Sequence, residues 1–166
     1  DGDLSKLDGL LDILYFDTAK RITKELVDDF MSAYTAALID LFNLKSRLRH
    51  LCNKEVSLEP EFVEGGTFVA AHIDTREDVI AMFARFGGEA YWREAVEHFA
   101  EYGNFTQIDA RSADYLLMLA KEGSYDMFSS ASLVLYYLKC RQAAANIREI
   151  VVGKNSGVAA DDIRAN

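Results

Sequence analysis

The sequence predicts an all-α protein. Apolar residues recur at three- and four-residue intervals along nearly the whole chain, strand-like alternation is almost absent, and Pro60 is the only proline. Half of the 166 residues are hydrophobic, so the chain can bury a substantial core without needing a disulfide or a structural metal. We therefore expect a body of packed helices joined by turns.

Two helices are predicted at the start of the chain from their apolar stripes. The first covers about residues 3–20, and the second covers about residues 23–52 and stops at Asn53. The first stripe consists of Leu4, Leu7, Leu11, Leu14 and Tyr15, and the second of Leu26, Phe30, Tyr34, Leu38, Leu41, Leu48 and Leu51.

A loop and a short helix are predicted next. Residues 56–66 contain a proline, which removes a backbone donor, and the pair Gly65-Gly66, which permits positive φ, so a helix cannot continue there. Asp74 or Thr75 is expected to cap a helix that runs to Phe86. Gly87-Gly88 should close that helix.

Three further helical stripes follow, and Gly123-Ser124 separates the last two. The last helix is expected to be long and buried, with residues 153–157 forming a turn after it. The stripes are Trp92, Val96 and Phe99; Ala113, Leu116, Leu117 and Ala120; and Leu133, Tyr137, Cys140, Ala144, Ile147 and Val151.

The order of these parts indicates an internal duplication. Asn43-Leu44-Lys45 in one long helix matches Asn146-Ile147-Arg148 in another, and a glycine turn follows each. We expect two related helical-bundle repeats, residues 1–86 with the Gly-Gly turn and residues 87–166 with the long C-terminal helix.

Charge and cysteine content exclude some classes of protein. The net charge of −9 would repel nucleic acid and anionic lipid, so no nucleic-acid partner is expected. The longest uncharged run, residues 127–138, is too short to span a membrane. Cys52 and Cys140 lie in apolar helical contexts and are expected to be free and buried, as in a reducing compartment.

No catalytic, cofactor-binding or metal site is expected. Glu94 and His98 lie four residues apart and could share a cation, but the favoured interpretation is an exposed carboxylate-imidazole pair. The segment Gly153-Lys154-Asn155-Ser156-Gly157 lacks the spacing of a phosphate loop and fits a helix C-terminus. An enzymatic role is therefore disfavoured.

Two kinds of polar residue remain as candidates. Asn43 and Asn146 stand beside apolar positions in long helices, where an amide is costly to bury unpaired, so each is predicted to hydrogen-bond a neighbouring helix or turn. Cationic side chains in this acidic chain form either a solvated face or a docking surface for an acidic partner. They are Lys45, Arg47, Arg49, Arg141 and Arg148.

Two segments resemble one protein family. Residues 40–49, Asp-Leu-Phe-Asn-Leu-Lys-Ser-Arg-Leu-Arg, and the turn at 63–66 are similar to elements of the C subunit of V-type and A-type ATPases, whose eukaryotic equivalent is the d subunit. The Asn-Ile-Arg at 146–148, the Gly-Lys-x-x-Gly at 153–157 and the Ile-Arg at 163–164 resemble the same family. The sequence departs from the family pattern at Arg141 and Ala143, where relatives carry glutamates.

The resemblance implies a non-catalytic rotor component. It implies the C-terminal portion of a funnel-like protein of three helical domains, peripheral on the cytoplasmic face of the membrane. Such a protein joins the central axle, made of the D and F subunits, to the membrane rotor ring and transmits torque for ATP-coupled proton or sodium transport. The alternative is a stand-alone helical interaction module or regulator built on the same scaffold.

Overall fold

A computed structural model describes residues 4–52, 62–68 and 73–157, together with the side chains of these residues from Gly9 onward. Within those ranges all regular structure is helical, which confirms the all-α prediction. The six α-helices are α1 (Leu4–Leu26), α2 (Asp29–Cys52), α3 (Arg76–Phe83), α4 (Glu89–Tyr102), α5 (Thr106–Gly123) and α6 (Ala131–Asn155). A 3-10 turn, Ala84–Phe86, follows α3.

The central helix of the structure is α2. It packs against α1, α3 and α5, while α4 lies against α3 and α5, and α6 lies against α5. The main core is formed by α2 to α5, with the ring of Trp92 stacked on that of Phe83 at 4.4 Å between centroids. The core is continuous across Gly87-Gly88, and the division into repeats 1–86 and 87–166 stays a prediction.

Local signals correctly predicted the start and end of the α3 region. Thr75 is the N-cap of α3: its hydroxyl accepts from the Asp78 backbone N–H, and the Asp78 carboxylate accepts from the Thr75 N–H in return. The predicted stop at Gly87-Gly88 also holds, because Gly87 takes φ 135° directly after the 3-10 turn. The prediction of one α-helix to Phe86 was slightly wrong, since the α-helix ends at Phe83.

The boundary between the first two helices was predicted wrongly. Helix α1 continues to Leu26, and the break falls at Val27 and Asp28, after which α2 begins. The apolar spacing runs through this break without interruption, so periodicity alone could not reveal it. Val27 has φ 51°, a left-handed conformation that is unfavourable for a β-branched residue. The predicted stop at Asn53 lies outside the described residues.

The largest correction concerns α6, which is not a buried helix. Its predicted core stripe faces solvent, as the exposed fractions of Leu133 (71%) and Ile147 (63%) show. Helix α6 also runs through Gly153 to Asn155, so the turn begins only at Ser156. Both Cys52 and Cys140 are exposed, contrary to prediction. On α1 likewise, Leu11, Leu14 and Tyr15 are exposed.

Candidate functional site

The side chain of Asn43 binds a turn that lies 20 residues further along the chain. Its amide donates to the carbonyl oxygen of Val63 at 2.9 Å and accepts from the Val63 N–H at 3.0 Å. Asn43 is 4% exposed, so both polar ends of a buried amide are satisfied by one residue of the turn. This reciprocal pair fixes the turn on α2.

One turn earlier on the same face of α2, Asp40 holds the other end of the turn. Its carboxylate accepts from the Thr67 N–H at 2.9 Å, from the Thr67 hydroxyl at 2.6 Å and from the Phe68 N–H at 3.2 Å. Asp40 is 1% exposed, so these donors replace its water. A Cβ at Gly66 would collide with the carboxylate, which explains a glycine at that position.

Helix α1 is tied to the same turn. Lys20 donates to the carbonyl oxygen of Glu64 at 2.8 Å and pairs with Asp17 at 2.8 Å. Beneath it, Phe16 packs in a small buried cluster with Ile39 and Val63. We call residues 62–68, with Asp40 and Asn43 that hold them, the glycine-turn clamp, and this clamp joins α1 to α2.

The basic residues after the clamp are partly engaged within the chain. Lys45 pairs with Asp109 on α5, and its ammonium lies 5.1 Å from the centre of the Phe105 ring. Arg47 donates to the carbonyl oxygen of Ile73 and pairs with Asp74 at 3.1 Å. These contacts connect α2 to the segment before α3 and to the start of α5. Lys45 and Arg47 therefore stabilise the packing of the helices.

Arg49 differs from its two neighbours because it remains exposed. Its guanidinium lies 5.1 Å from the Phe105 ring, on the same aromatic side chain that Lys45 approaches. A cation above an aromatic face retains its hydrogen-bonding capacity toward an external carboxylate. Of the three predicted docking residues on α2, Arg49 is the one most available to a partner.

Asp28 joins the start of α2 to the start of α6. Its carboxylate accepts from the N–H groups of Phe30 at 2.9 Å and Met31 at 3.3 Å, as an N-cap does. Its other oxygen accepts from the Ser130 N–H at 2.7 Å across the structure. Hydrogen bonds from the Ser130 side chain and backbone lower the pKa of Asp28 despite the opposing effect of burial.

The predicted polar residues of α6 lie at the surface. Arg141, Asn146 and Arg148 are all exposed, and the Arg141 guanidinium lies 6.0 Å from the Tyr137 ring. The prediction that Asn146 lies beside the core is wrong, because every side chain of α6 from Lys139 to Val152 is exposed. The structure therefore separates the predicted docking residues into two groups, one on α2 and one on α6.

The possible cation pair has other partners. Glu94 pairs with Arg111 at 2.7 Å, and the His98 ring packs on Tyr102 with 4.7 Å between centroids. Among the described residues, no group of three or more acidic, histidine or cysteine side chains could hold a metal ion. In the same residues, no helix combines the length and apolar character needed to cross a membrane.

A family model described as "ATP synthase (C/AC39) subunit" matches residues 1–166. The chain belongs to the ATP synthase C/AC39 subunit family. The predicted resemblance to the C subunit of V-type and A-type ATPases is thereby confirmed. A search of curated proteins and a search of solved structures each gave no match.

The Asp-x-x-Asn element that suggested the C/AC39 family is the element that forms the glycine-turn clamp. The sequence predicted Asn43 to be a hydrogen-bonding residue, but it gave no prediction for Asp40, which binds the other end of the same turn. It also missed Asp28, although an aspartate directly before an apolar helical run is a common N-cap signal. The available clue was that Asp40 and Asn43 are three residues apart and so lie on one face of the helix, where both can bind the same turn.

Proposed function

We propose that this C/AC39-family chain is a non-catalytic central-rotor component of a V/A-type ATPase. It links the central axle, made of the D and F subunits, to the membrane rotor ring and transmits torque for ATP-coupled proton or sodium transport. It works as a peripheral part of the complex at the cytoplasmic face of the membrane. The family match over residues 1–166 is the observation that carries the proposal.

The construction of the helical body supports a mechanical role. A part that transmits torque must not yield under load, and stiffness comes from close packing and from cross-links between distant segments. The glycine-turn clamp fixes residues 62–68 on α2 through buried and half-buried hydrogen bonds, and Lys20 of α1 donates to the same turn. On the surface, Arg93 makes a two-pronged pair with Glu77 of α3 and a second pair with Glu89.

The surface supports a role with more than one protein contact. Arg49 on α2 and the pair Arg141 and Arg148 on α6 are exposed cations in a chain of net charge −9. Cations placed in an acidic surface favour partners with local negative charge and set their orientation. We propose these two groups as docking surfaces, one toward each side of the rotor junction.

A reconstitution experiment tests this function. The full-length protein is mixed with the purified D–F axle and, separately, with the detergent-solubilised ring, and binding is measured by sedimentation or surface plasmon resonance. We expect association with both and restoration of coupled ATP hydrolysis in a complex depleted of this protein. If the full-length protein binds neither the axle nor the ring, the rotor role is rejected and the stand-alone interaction module is favoured.

A further inference from the structure

The outward face of α6 carries a regular row of uncharged residues. Their spacing alternates between four and three residues, which is the a and d pattern of a coiled-coil seam. We call this row the α6 seam, and it consists of Leu133, Tyr137, Cys140, Ala144, Ile147 and Val151. All six side chains are exposed, with Tyr137 at 57% and Val151 at 51%.

The seam is not required for packing within the described chain. Helix α6 uses a different side to contact α5, where Ala131 is buried and Val134 and Leu138 pack against the main core. From Lys139 to Asn155 no side chain of α6 is buried. Because helices in proteins are stabilised mainly by packing of their apolar faces, a partner on this exposed row would stabilise α6 further.

The charges beside the seam indicate the chemistry of the partner. Arg141 and Arg148 are seven residues apart and occupy the same position, immediately after the central seam residues Cys140 and Ile147. In a coiled coil this is the e position, which faces a charged position of the partner helix. Helix α6 holds Lys139, Arg141, Arg148 and Lys154 against the single acid Glu149, so the facing helix should be acidic.

The surroundings of Tyr34 show how the seam continues onto the body. Tyr34 of α2 is buried, and burial is the main reason that its pKa is raised. Arg141 and Tyr137 on α6 and Tyr15 on α1 are all near enough to change that pKa further. Tyr34 therefore has ionisable neighbours on both α1 and α6.

We propose that the α6 seam is a coiled-coil-type docking site for one helix of another polypeptide, with Asp or Glu residues flanking that helix's own apolar row. This inference rests on the proposed role as one component of a larger complex, and it adds the surface and the chemistry of one partner. The two arginines fix the register of the pair, while the small residues Cys140 and Ala144 allow close approach at its centre.

The same features disfavour two other occupants. In an antiparallel pair of two copies, e positions face each other and would oppose arginine to arginine. In a parallel pair, Arg141 and Arg148 would face Tyr136 and Ala143 of the other copy, which offer no negative charge. A lipid surface favours large residues such as Trp, Phe and Leu along the apolar face, whereas this seam has the small residues Cys140 and Ala144 at its centre.

Cys140 provides a native probe of the seam. In the Cys52→Ser variant it is the only thiol, and a maleimide should label it readily because it is exposed. The ligand is a synthetic helix of about four heptads with Leu at a and d and Glu at e and g. We expect saturating peptide to slow labelling of Cys140 by about tenfold or more, because access controls thiol reactivity. In the matched Cys140→Ser variant, labelling of Cys52 should not change.

Charge reversal makes the test specific. A peptide with Lys in place of Glu should give no protection to the parent chain, and the double variant Arg141→Glu, Arg148→Glu should exchange these preferences. Both arginines are exposed, so circular dichroism and the unfolding midpoint should stay unchanged. The proposal would be overturned if the acidic and basic peptides protected Cys140 equally, or if neither peptide protected it. So would protection of Cys140 by self-association or only by anionic lipid vesicles.

The result also separates this inference from the rotor function. If the double arginine variant of the full-length protein binds axle and ring as tightly as the parent, the seam proposal fails and the rotor function stands. If the variant loses only one of these partners, that partner supplies the acidic helix. If the parent binds neither partner yet the acidic peptide still protects Cys140, the seam stands and the rotor function fails.

Discussion

Helices α2 and α6 have nearly the same length, 24 and 25 residues, and similar apolar stripes, but their surroundings are opposite. Helix α2 buries nine side chains, whereas Ala131 is the one buried side chain of α6. Asn43 on α2 is bound on both sides of its amide, while Asn146 on α6 faces solvent. A periodic stripe thus shows that a helix face needs covering, and the path of the rest of the chain decides whether it is covered.

The two helices differ in what packs on them among the described residues. After α2 the chain returns across it at residues 62–68, and α3 and α5 then pack on its remaining sides. Among the described residues, the main neighbour of α6 is α5, which covers one side of its first turns. A similar apolar stripe therefore builds a core in one place and stays exposed in the other.

The largest contrast is expected from truncating one apolar residue on each helix. Leu44→Ala should cost about 3 kcal/mol of unfolding free energy, because Leu44 is fully buried and its truncation leaves a cavity. Ile147→Ala should cost less than about 0.5 kcal/mol because its side chain is mostly exposed. Urea denaturation of both variants measures the two values, and equal losses would show that the α6 seam is covered in solution.

A methyl group in the glycine-turn clamp should have the next largest effect. Gly66→Ala places a Cβ against the Asp40 carboxylate, so we expect a loss of about 2 kcal/mol from overpacking and displaced hydrogen bonds. Asp40→Ala should cost a similar amount, about 2 kcal/mol, because the donors of Thr67 and Phe68 lose their acceptor.

The double variant Asp40→Ala, Gly66→Ala is the control for these two single variants. With Asp40 already alanine, the Cβ at position 66 no longer meets a carboxylate, so the combined loss should be smaller than the sum of the single losses. Additive losses, measured by the same urea titrations, would contradict a direct contact between Gly66 and Asp40.

These contrasts show which parts of the fold could be predicted from the sequence. Local chemistry predicted the α3 start correctly, because Thr75 and Asp78 contact each other across only three residues. It also predicted the stop at Gly87. The break at Val27 was missed because Leu26 and Phe30 continue one apolar spacing across it, so the pattern is the same with or without a turn.

Long-range features were harder to predict for a simple reason. Asp40 meets Thr67 across 27 residues, and Asp28 meets Ser130 across 102 residues, so no local pattern specifies either contact. For α6, the sequence predicted the stripe correctly and its burial wrongly, since burial depends on what lies opposite. The resemblance that identified the family came partly from the clamp residues and partly from α6 and the residues that follow it.

The two asparagines offer a smaller and more specific contrast. Asn43→Ala should cost about 2 kcal/mol, since it leaves the buried N–H and carbonyl of Val63 without partners. Asn146→Ala should be neutral or stabilising by about 0.5 kcal/mol, because alanine is the better helix former at an exposed site. Thermal unfolding of the two variants measures this difference. A comparable loss at Asn146 would contradict its exposed position.

The smallest effect should occur where the two helices meet, at Asp28, and it should depend on pH. Asp28→Ala should cost about 1 kcal/mol at neutral pH through loss of the α2 cap. Because the folded pKa of Asp28 is lowered, its stabilisation is present above the unfolded value of about 3.9 and is lost as pH falls through the folded pKa. The difference in unfolding free energy between wild type and variant should therefore shrink below about pH 4 in urea titrations run from pH 7 to pH 2.5.

The control is Asp29→Ala, which removes the same charge from the neighbouring residue, the first of α2, and should change stability by less than about 0.5 kcal/mol. If the Asp28→Ala difference grew as the pH fell, the carboxylate would not be the ionised acceptor that joins α2 to the start of α6.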